Sequence, residues 1–251
     1  MKPVANLSHL WPELPYLDRF DAASAAGFTG VEVLFPYDVA AKETQRALTR
    51  DGLQMVLINA PPPNYTGGAR GFSAAPGGEA RFAHDMRRAF RYANALGVPM
   101  IHVMSGYASG QAAKDAMITN LRQAVQDAPA GLTLLLEPLC PESQPDYFLN
   151  DYALAADIIA AVDAPNLRLQ FDSYHAQMIH GDAVEVFNQY RDLISHVQIG
   201  DTPSRSAPGT GHVDFPALFA ALCEAGYDGC VSGEYTPGGA TESTLKWMKQ
   251  L

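Results

Sequence analysis

Leu132-Thr133-Leu134-Leu135-Leu136-Glu137-Pro138 decides how the rest of the chain folds. Its run of apolar and β-branched residues lacks the alternation of a strand with one wet face. It suits a strand buried on both faces, as a parallel sheet requires. Pro138 cannot donate the next ladder hydrogen bond, so the strand stops there. Glu137 then stands at the carboxyl end of a buried strand, where a carboxylate needs a proton, a cation or a metal beside it. Three later stretches repeat the arrangement, each about one strand and one helix further on. Leu167-Arg168-Leu169-Gln170-Phe171 leads to Asp172, His196-Val197 to Gln198, and Cys230-Val231-Ser232-Gly233 to Glu234. Four oxygen-bearing side chains at equivalent places in successive units form the pattern of a site.

Outward from this stretch the alternation continues in both directions. Before it, strands are expected near 3–7, 31–35, 53–59 and 99–104, with helices near 16–26, 39–50, 79–96 and 111–127. After it, helices near 151–162, 182–191, 215–225 and 243–249 alternate with strands at 167–172, 194–199 and 230–233. Eight strand–helix units with no break in composition predict one domain over 1–251, a closed parallel (β/α)8 TIM barrel. An open doubly wound sheet is the alternative. It would carry a Gly-rich nucleotide turn after its first strand, whereas Leu7-Ser8-His9-Leu10-Trp11-Pro12 has no glycine. Only residues 60–78 break the pattern, with Pro61-Pro62-Pro63, Gly67-Gly68, Arg70-Gly71 and Pro76-Gly77-Gly78. A loop of that length, carrying Tyr65, Phe72 and Arg70, is expected to act as a lid or binding loop.

Composition narrows the function. The 251 residues are 47% hydrophobic and 18% charged, with a net charge of -10. That acidity argues against a nucleic-acid partner, which needs a basic face. Cys140, Cys223 and Cys230 have no metal-ligand spacing and are odd in number, so they are expected as reduced thiols in a cytoplasmic protein. Met1 to Asn6 runs straight into a strand, so no signal peptide is expected, and no segment approaches a membrane span. A homo-oligomer is compatible with the sequence, which leaves the oligomeric state open.

In a barrel the strands' carboxyl ends share one rim, where catalytic residues gather. Glu137, Asp172, Gln198 and Glu234 can then converge near the axis. Carboxylates at close range repel, and a divalent cation removes most of that cost. An all-oxygen set favours Mg2+ or Mn2+ over zinc.

Several motifs carry a resemblance. They are Asn6-Leu7-Ser8, Phe28-x-Gly30-Val31-Glu32-x-x-Phe35-Pro36-Tyr37-Asp38, Arg70-Gly71, Glu137-Pro138 and Asp172-x-Tyr174-His175-x-Gln177. His196-x-Gln198-Ile199-x-Asp201, Pro208-Gly209-Thr210-Gly211 and Gly233-Glu234-Tyr235 complete them. Over nearly its whole length the chain resembles the hydroxypyruvate isomerase family of xylose-isomerase-like TIM barrels, which includes the 2-oxo-tetronate isomerases. The resemblance implies that Glu137 and Glu234 are the catalytic acid/base pair and that Glu137, Asp172, Gln198 and Glu234 bind the metal. Sugar epimerases of the wider superfamily usually carry a His where this chain has Gln198, which favours the isomerase branch.

The chemistry implied is transfer of a proton between neighbouring carbons of a small hydroxy-oxo acid, hydroxypyruvate to tartronate semialdehyde, through an enediolate. An anionic substrate entering an acidic protein needs a local cation. Arg70 and Arg205 are the best placed, on expected carboxyl-end loops. The resemblance suggests substrate contact for His175, and His102 is expected to point into the mouth. His196 shares the inward face of Gln198 one layer deeper and is read as structural. The competing expectations are a 2-oxo-tetronate isomerase, a ketose epimerase, an endonuclease-like phosphodiesterase and a non-catalytic sugar-acid binding protein. Both glutamates being intact weighs against the last.

Overall fold

The structure, a computed structural model, describes residues 1–61 and 70–251. Eight strands pair in chain order, all parallel: β1 Lys2–Asn6, β2 Gly30–Glu32, β3 Gln54–Ala60, β4 Met100–Val103, β5 Thr133–Leu136, β6 Leu167–Asp172, β7 Ile194–Ile199 and β8 Cys230–Gly233. β8 also pairs with β1, closing the barrel and leaving no edge strand. Around it lie α1 Asp18–Ala25, α2 Ala41–Asp51, α3 Glu79–Leu96, α4 Gly110–Asp127, α5 Tyr152–Val162, α6 Ser173–His180, α7 Ala183–Tyr190 and α8 Phe215–Glu224.

The stretch around β5 shows why the barrel holds. Leu134, Leu135 and Leu136 are all buried without remaining exposure. Leu134 and Leu136 join the large core between strands and helices. Leu135, two residues before Glu137, belongs to a separate small cluster with Val4, Val56 and Leu57. Because side chains alternate along a strand, this second cluster is the apolar floor inside the barrel, beneath the polar rim.

Two expectations change. The single helix expected near 182–191 is preceded by another, α6, separated from α7 by Gly181 and Asp182. Asp172 caps α6 by accepting from the Tyr174 N–H at 2.8 Å, so the chain turns from strand to helix without a loop. The last segment, Thr241–Gln250, is a 3-10 helix rather than an α-helix. Of the loop at 60–78, residues 62–69, Tyr65 among them, lie outside the described residues. Gly71 pairs with Ser105 just after β4, at the carboxyl rim. Its φ is +104°, and a Cβ there would stand 2.2 Å from the Met104 carbonyl oxygen, so this approach requires glycine.

Candidate active site

The barrel interior is polar above its floor. Asn6, Glu32, Asn59, His102, Gln170, His196 and Ser232 are all buried. Strand register stacks the rim on this layer: Gln170 pairs with His196, and two residues further on Asp172 pairs with Gln198. Glu137 and Glu234 follow directly on β5 and β8. Each rim residue therefore stands two positions above a buried residue on the same inward face, Leu135, Gln170, His196 or Ser232.

Arg205, from the loop after β7, joins the acids. Its Nη2 lies 2.5 Å from Asp172 Oδ2 and 2.5 Å from Glu234 Oε1, so these oxygens are at most 5 Å apart. The guanidinium also stacks over the Tyr174 ring, 5.1 Å from its centroid. Glu234 Oε2 accepts from Asn6 Nδ2 at 2.9 Å and from Gln198 Nε2. The Gln198 oxygen faces away, accepting from Gln170 Nε2 at 2.6 Å. Glu137 Oε1 is buried with no hydrogen-bond partner among the described residues.

Burial sets the protonation states. It pushes the Glu137 carboxyl well above the usual carboxylate range, with Glu234 and Asp172 adding repulsion. Asp172 rises from 3.8 to about 6, because burial outweighs the neighbouring Arg205. Glu234 rises for the same reason, again against Arg205. Each of the three carboxyls therefore keeps its proton to a higher pH than a free carboxyl does.

The histidines surround them as neutral rings. His102 is driven down to about 3 by burial. Its Nδ1 lies 3.2 Å from Glu137 Oε2, without the alignment of a hydrogen bond. It is buried beside Glu137, in the polar layer of the barrel interior. His175 is held well below its ordinary value by burial, then by Arg205. Its Nδ1 accepts the Cys140 N–H at 2.9 Å, while its Nε2 faces Arg205 Nη1 at 3.2 Å and lies 3.9 Å from Asp172 Oδ2. His9 Nε2 is 3.7 Å from Glu234 Oε1, and burial followed by Arg205 lowers it to about 4. Arg70 is exposed beside Gly71.

A divalent ion would meet a buried donor set at this rim. Glu137, Asp172 and His175 each offer a ligand atom, all within 4.8 Å of one another and all buried. The unpartnered Glu137 oxygen and the mutual repulsion of the acids suit a hard cation. Glu234, held near Asp172 by Arg205, belongs to the same acidic cluster. His175 is the least suited, since its Nδ1 is taken by the Cys140 N–H and its Nε2 faces Arg205 Nη1 at 3.2 Å. Gln198 turns nitrogen rather than oxygen toward Glu234.

Nothing in their own sequence surroundings marks Glu32, Asn6 or His9 as a site residue. Asn6 and Glu32 lie on short strands without enough alternation to show an inward face, and His9 lies on a loop. A polar residue two places before Asp172 and before Glu234 is the signal in the sequence for Gln170 and Ser232.

The xylose isomerase-like TIM barrel family model matches residues 20–251. The 2-oxo-tetronate isomerase of Cupriavidus necator is 40% identical over 251 residues, covering 98% of this chain and 96% of that protein. The hydroxypyruvate isomerase of Escherichia coli is 36% identical over 249 residues, covering 97% and 96%. A crystal structure described as AP endonuclease, family 2, from Brucella melitensis superposes with a TM-score of 0.94 at 40% identity, covering 99% of this chain and 98% of that one. Among the described residues, no helix is long and apolar enough to cross a membrane. The chain belongs to the xylose isomerase-like TIM barrels and, among them, to the isomerase family of the hydroxypyruvate and 2-oxo-tetronate enzymes.

Proposed function

We propose that this isomerase moves a proton between neighbouring carbons of a small hydroxy-oxo acid, converting hydroxypyruvate to tartronate semialdehyde. The observation that carries the reading is the gathering of Glu137, Asp172 and Glu234 at one buried rim, with carboxyl pKa values pushed up. Isomerisation takes a proton from the hydroxymethyl carbon and returns one to the former carbonyl carbon. Two carboxyls whose hold on a proton is strengthened by burial serve that need. Glu137 and Glu234, on strands separated around the ring by β6 and β7, are the pair we assign. His175, beside Arg205 and Asp172, is placed to contact a substrate oxygen, and Arg205 with Arg70 answers the substrate carboxylate. Glu137, Asp172 and Glu234 would hold Mg2+ or Mn2+. Gln198, expected as a fourth ligand, gives its oxygen to Gln170 and its nitrogen to Glu234, so it supports Glu234 rather than joining the set. When bound, the ion supplies polarisation of the carbonyl and hydroxyl oxygens.

The C. necator relative favours a second reading, 2-oxo-tetronate as substrate. The endonuclease description of the Brucella structure is not carried over, because a net charge of -10 opposes a polyanionic substrate. A proton NMR time course in D2O, with hydroxypyruvate or 2-oxo-tetronate and with or without Mg2+ or Mn2+, tests both. Deuterium entering the former carbonyl carbon as product forms is the expected result. Neither exchange nor product with either acid would remove the reading.

Two smaller effects are expected. Arg70→Ala should raise KM about tenfold with kcat nearly unchanged, the loss of one exposed charged contact. An unchanged KM would take Arg70 out of the site. The second concerns metal and pH. A carboxyl with a raised pKa stays protonated in the folded state while the unfolded chain ionises, so it costs stability as pH climbs from about 4 to about 6. An ion must displace those protons to bind. Mn2+ should therefore raise Tm more at pH 7.5 than at pH 5, as read by calorimetry at fixed ion concentration. Equal shifts at the two pH values would show that the cluster is not the binding site.

A further inference from the structure

Beneath the rim, Glu32 is a buried carboxylate with no exposure. Its Oε1 accepts from Asn6 Nδ2 and from Gln198 Nε2, each at 2.7 Å. Its Oε2 is 2.7 Å from His196 Nε2. The same two nitrogens, Asn6 Nδ2 and Gln198 Nε2, also donate to Glu234 Oε2. Two amides thus stand between two carboxylates, one at the rim and one below it.

We propose that Glu32 is a positioning residue, which fixes the Asn6 and Gln198 amides so that both present N–H to Glu234. The inference rests on the reading of Glu234 as a proton-handling group. An ionised carboxylate only accepts hydrogen bonds, so each amide must turn its nitrogen toward the pair of acids. The far ends agree. Asn6 Oδ1 accepts the Ser8 N–H at 2.9 Å, and Gln198 Oε1 accepts from Gln170. Turning either amide over would set its oxygen about 2.7 Å from a Glu32 oxygen, with no proton between them. His196 occupies the other Glu32 oxygen. Burial opposes the Glu32 charge, but His196 and the hydrogen bonds from His196 and Gln198 hold its carboxyl below the ordinary value. A buried carboxylate is an expensive way to fill a barrel when an apolar side chain would pack there. What it supplies here is direction for the two amides that hold Glu234.

Glu32→Gln tests this, because glutamine has the same shape but offers an N–H as well as an oxygen. The Asn6 and Gln198 amides are then no longer forced one way. The expected result is a ten- to hundred-fold loss of kcat and a similar weakening of Mn2+ binding by titration calorimetry, the range seen when an outer-shell partner is lost. KM should change less than threefold, and Tm should stay within a few degrees of wild type. A purely structural Glu32 would move Tm and leave kcat and Mn2+ affinity alone. A folded Glu32→Gln with wild-type kcat and Mn2+ affinity overturns the proposal. Should that variant not fold, Asn6→Ala decides, since it keeps Glu32 and removes one of the two relays. Loss of kcat there supports the proposal, and wild-type kcat overturns it. Failure of the functional reading would show instead in the wild type, as no turnover, and the Mn2+ titrations would then decide the role of Glu32.

Discussion

Glu137→Gln and Glu234→Gln should each lower kcat by roughly 10²–10⁴-fold, about 3–5 kcal/mol of transition-state stabilisation, and should not recover at saturating Mg2+ or Mn2+. Glutamine keeps an oxygen able to reach a cation but has no proton to exchange. A residue that only bound the ion would lose metal affinity, and high metal would restore its turnover. Asp172→Asn is the control. Asp172 caps α6 and pairs with Arg205, and it is assigned no proton transfer, so metal should restore at least part of its activity. The surroundings support the contrast. Glu137 Oε1 has no hydrogen-bond partner among the described residues, and burial with two acidic neighbours keeps the group protonated far above the ordinary range. Near wild-type kcat in either glutamine variant at high metal would sink the two-carboxylate mechanism, while the barrel and a metal site would stand.

How much of this was legible in the sequence depends on the kind of signal each element carries. β5 is readable because three consecutive leucines buried on both faces leave no other strand type, and its rim residue follows from where Pro138 stops it. The helix over Glu79–Leu96 appeared with its boundaries intact, since eighteen residues of regular period leave little freedom. α6 did not. His175, Gln177 and His180 break up its apolar stripe, and it begins directly on the capping residue Asp172 with no turn residue to announce it. Glu32 was hidden for a related reason. β2 is three residues long, too short for alternation to distinguish an inward glutamate from a surface one. The pairing of Arg205 with Asp172 and Glu234 depends on how one loop folds, and loop conformation is set by tertiary hydrogen bonds rather than by period.

That loop yields the second large effect. Asp201→Asn should destabilise the protein by about 2–5 kcal/mol, lowering Tm by roughly 5–15 °C in a chain of this size, and should raise KM as well. Asp201 is fully buried, and backbone N–H groups converge on its carboxylate. Oδ2 accepts from Gly209, Thr210 and Gly211 at 2.9, 2.9 and 2.8 Å. Oδ1 accepts from Thr202 at 2.9 Å and Val213 at 3.0 Å. An asparagine can turn its oxygen toward only one of these groups, so its NH2 must face two or three donors, and each unmatched buried donor costs about 1–3 kcal/mol. No adjustment of the loop is available at its tightest point. A Cβ on Gly211 would stand 1.9 Å from the Thr202 carbonyl oxygen and 2.7 Å from Asp201 Oδ1, so the loop can close this far only around a glycine. Gly211→Ala should therefore melt early too. The loss reaches the site because Arg205 is carried by the segment that Asp201 anchors. Ser206, next in sequence, exchanges both backbone hydrogen bonds with Asp201, at 2.9 and 3.1 Å. Once that anchor is loosened, the guanidinium is no longer held over Asp172 and Glu234, and an anionic substrate meets a weaker cation. Thermal melts and KM measured together on Asp201→Asn separate the two consequences. A wild-type Tm would show that the five backbone donors find other acceptors. A lowered Tm with wild-type KM would show that Arg205 is held by its own ion pairs, independently of the loop.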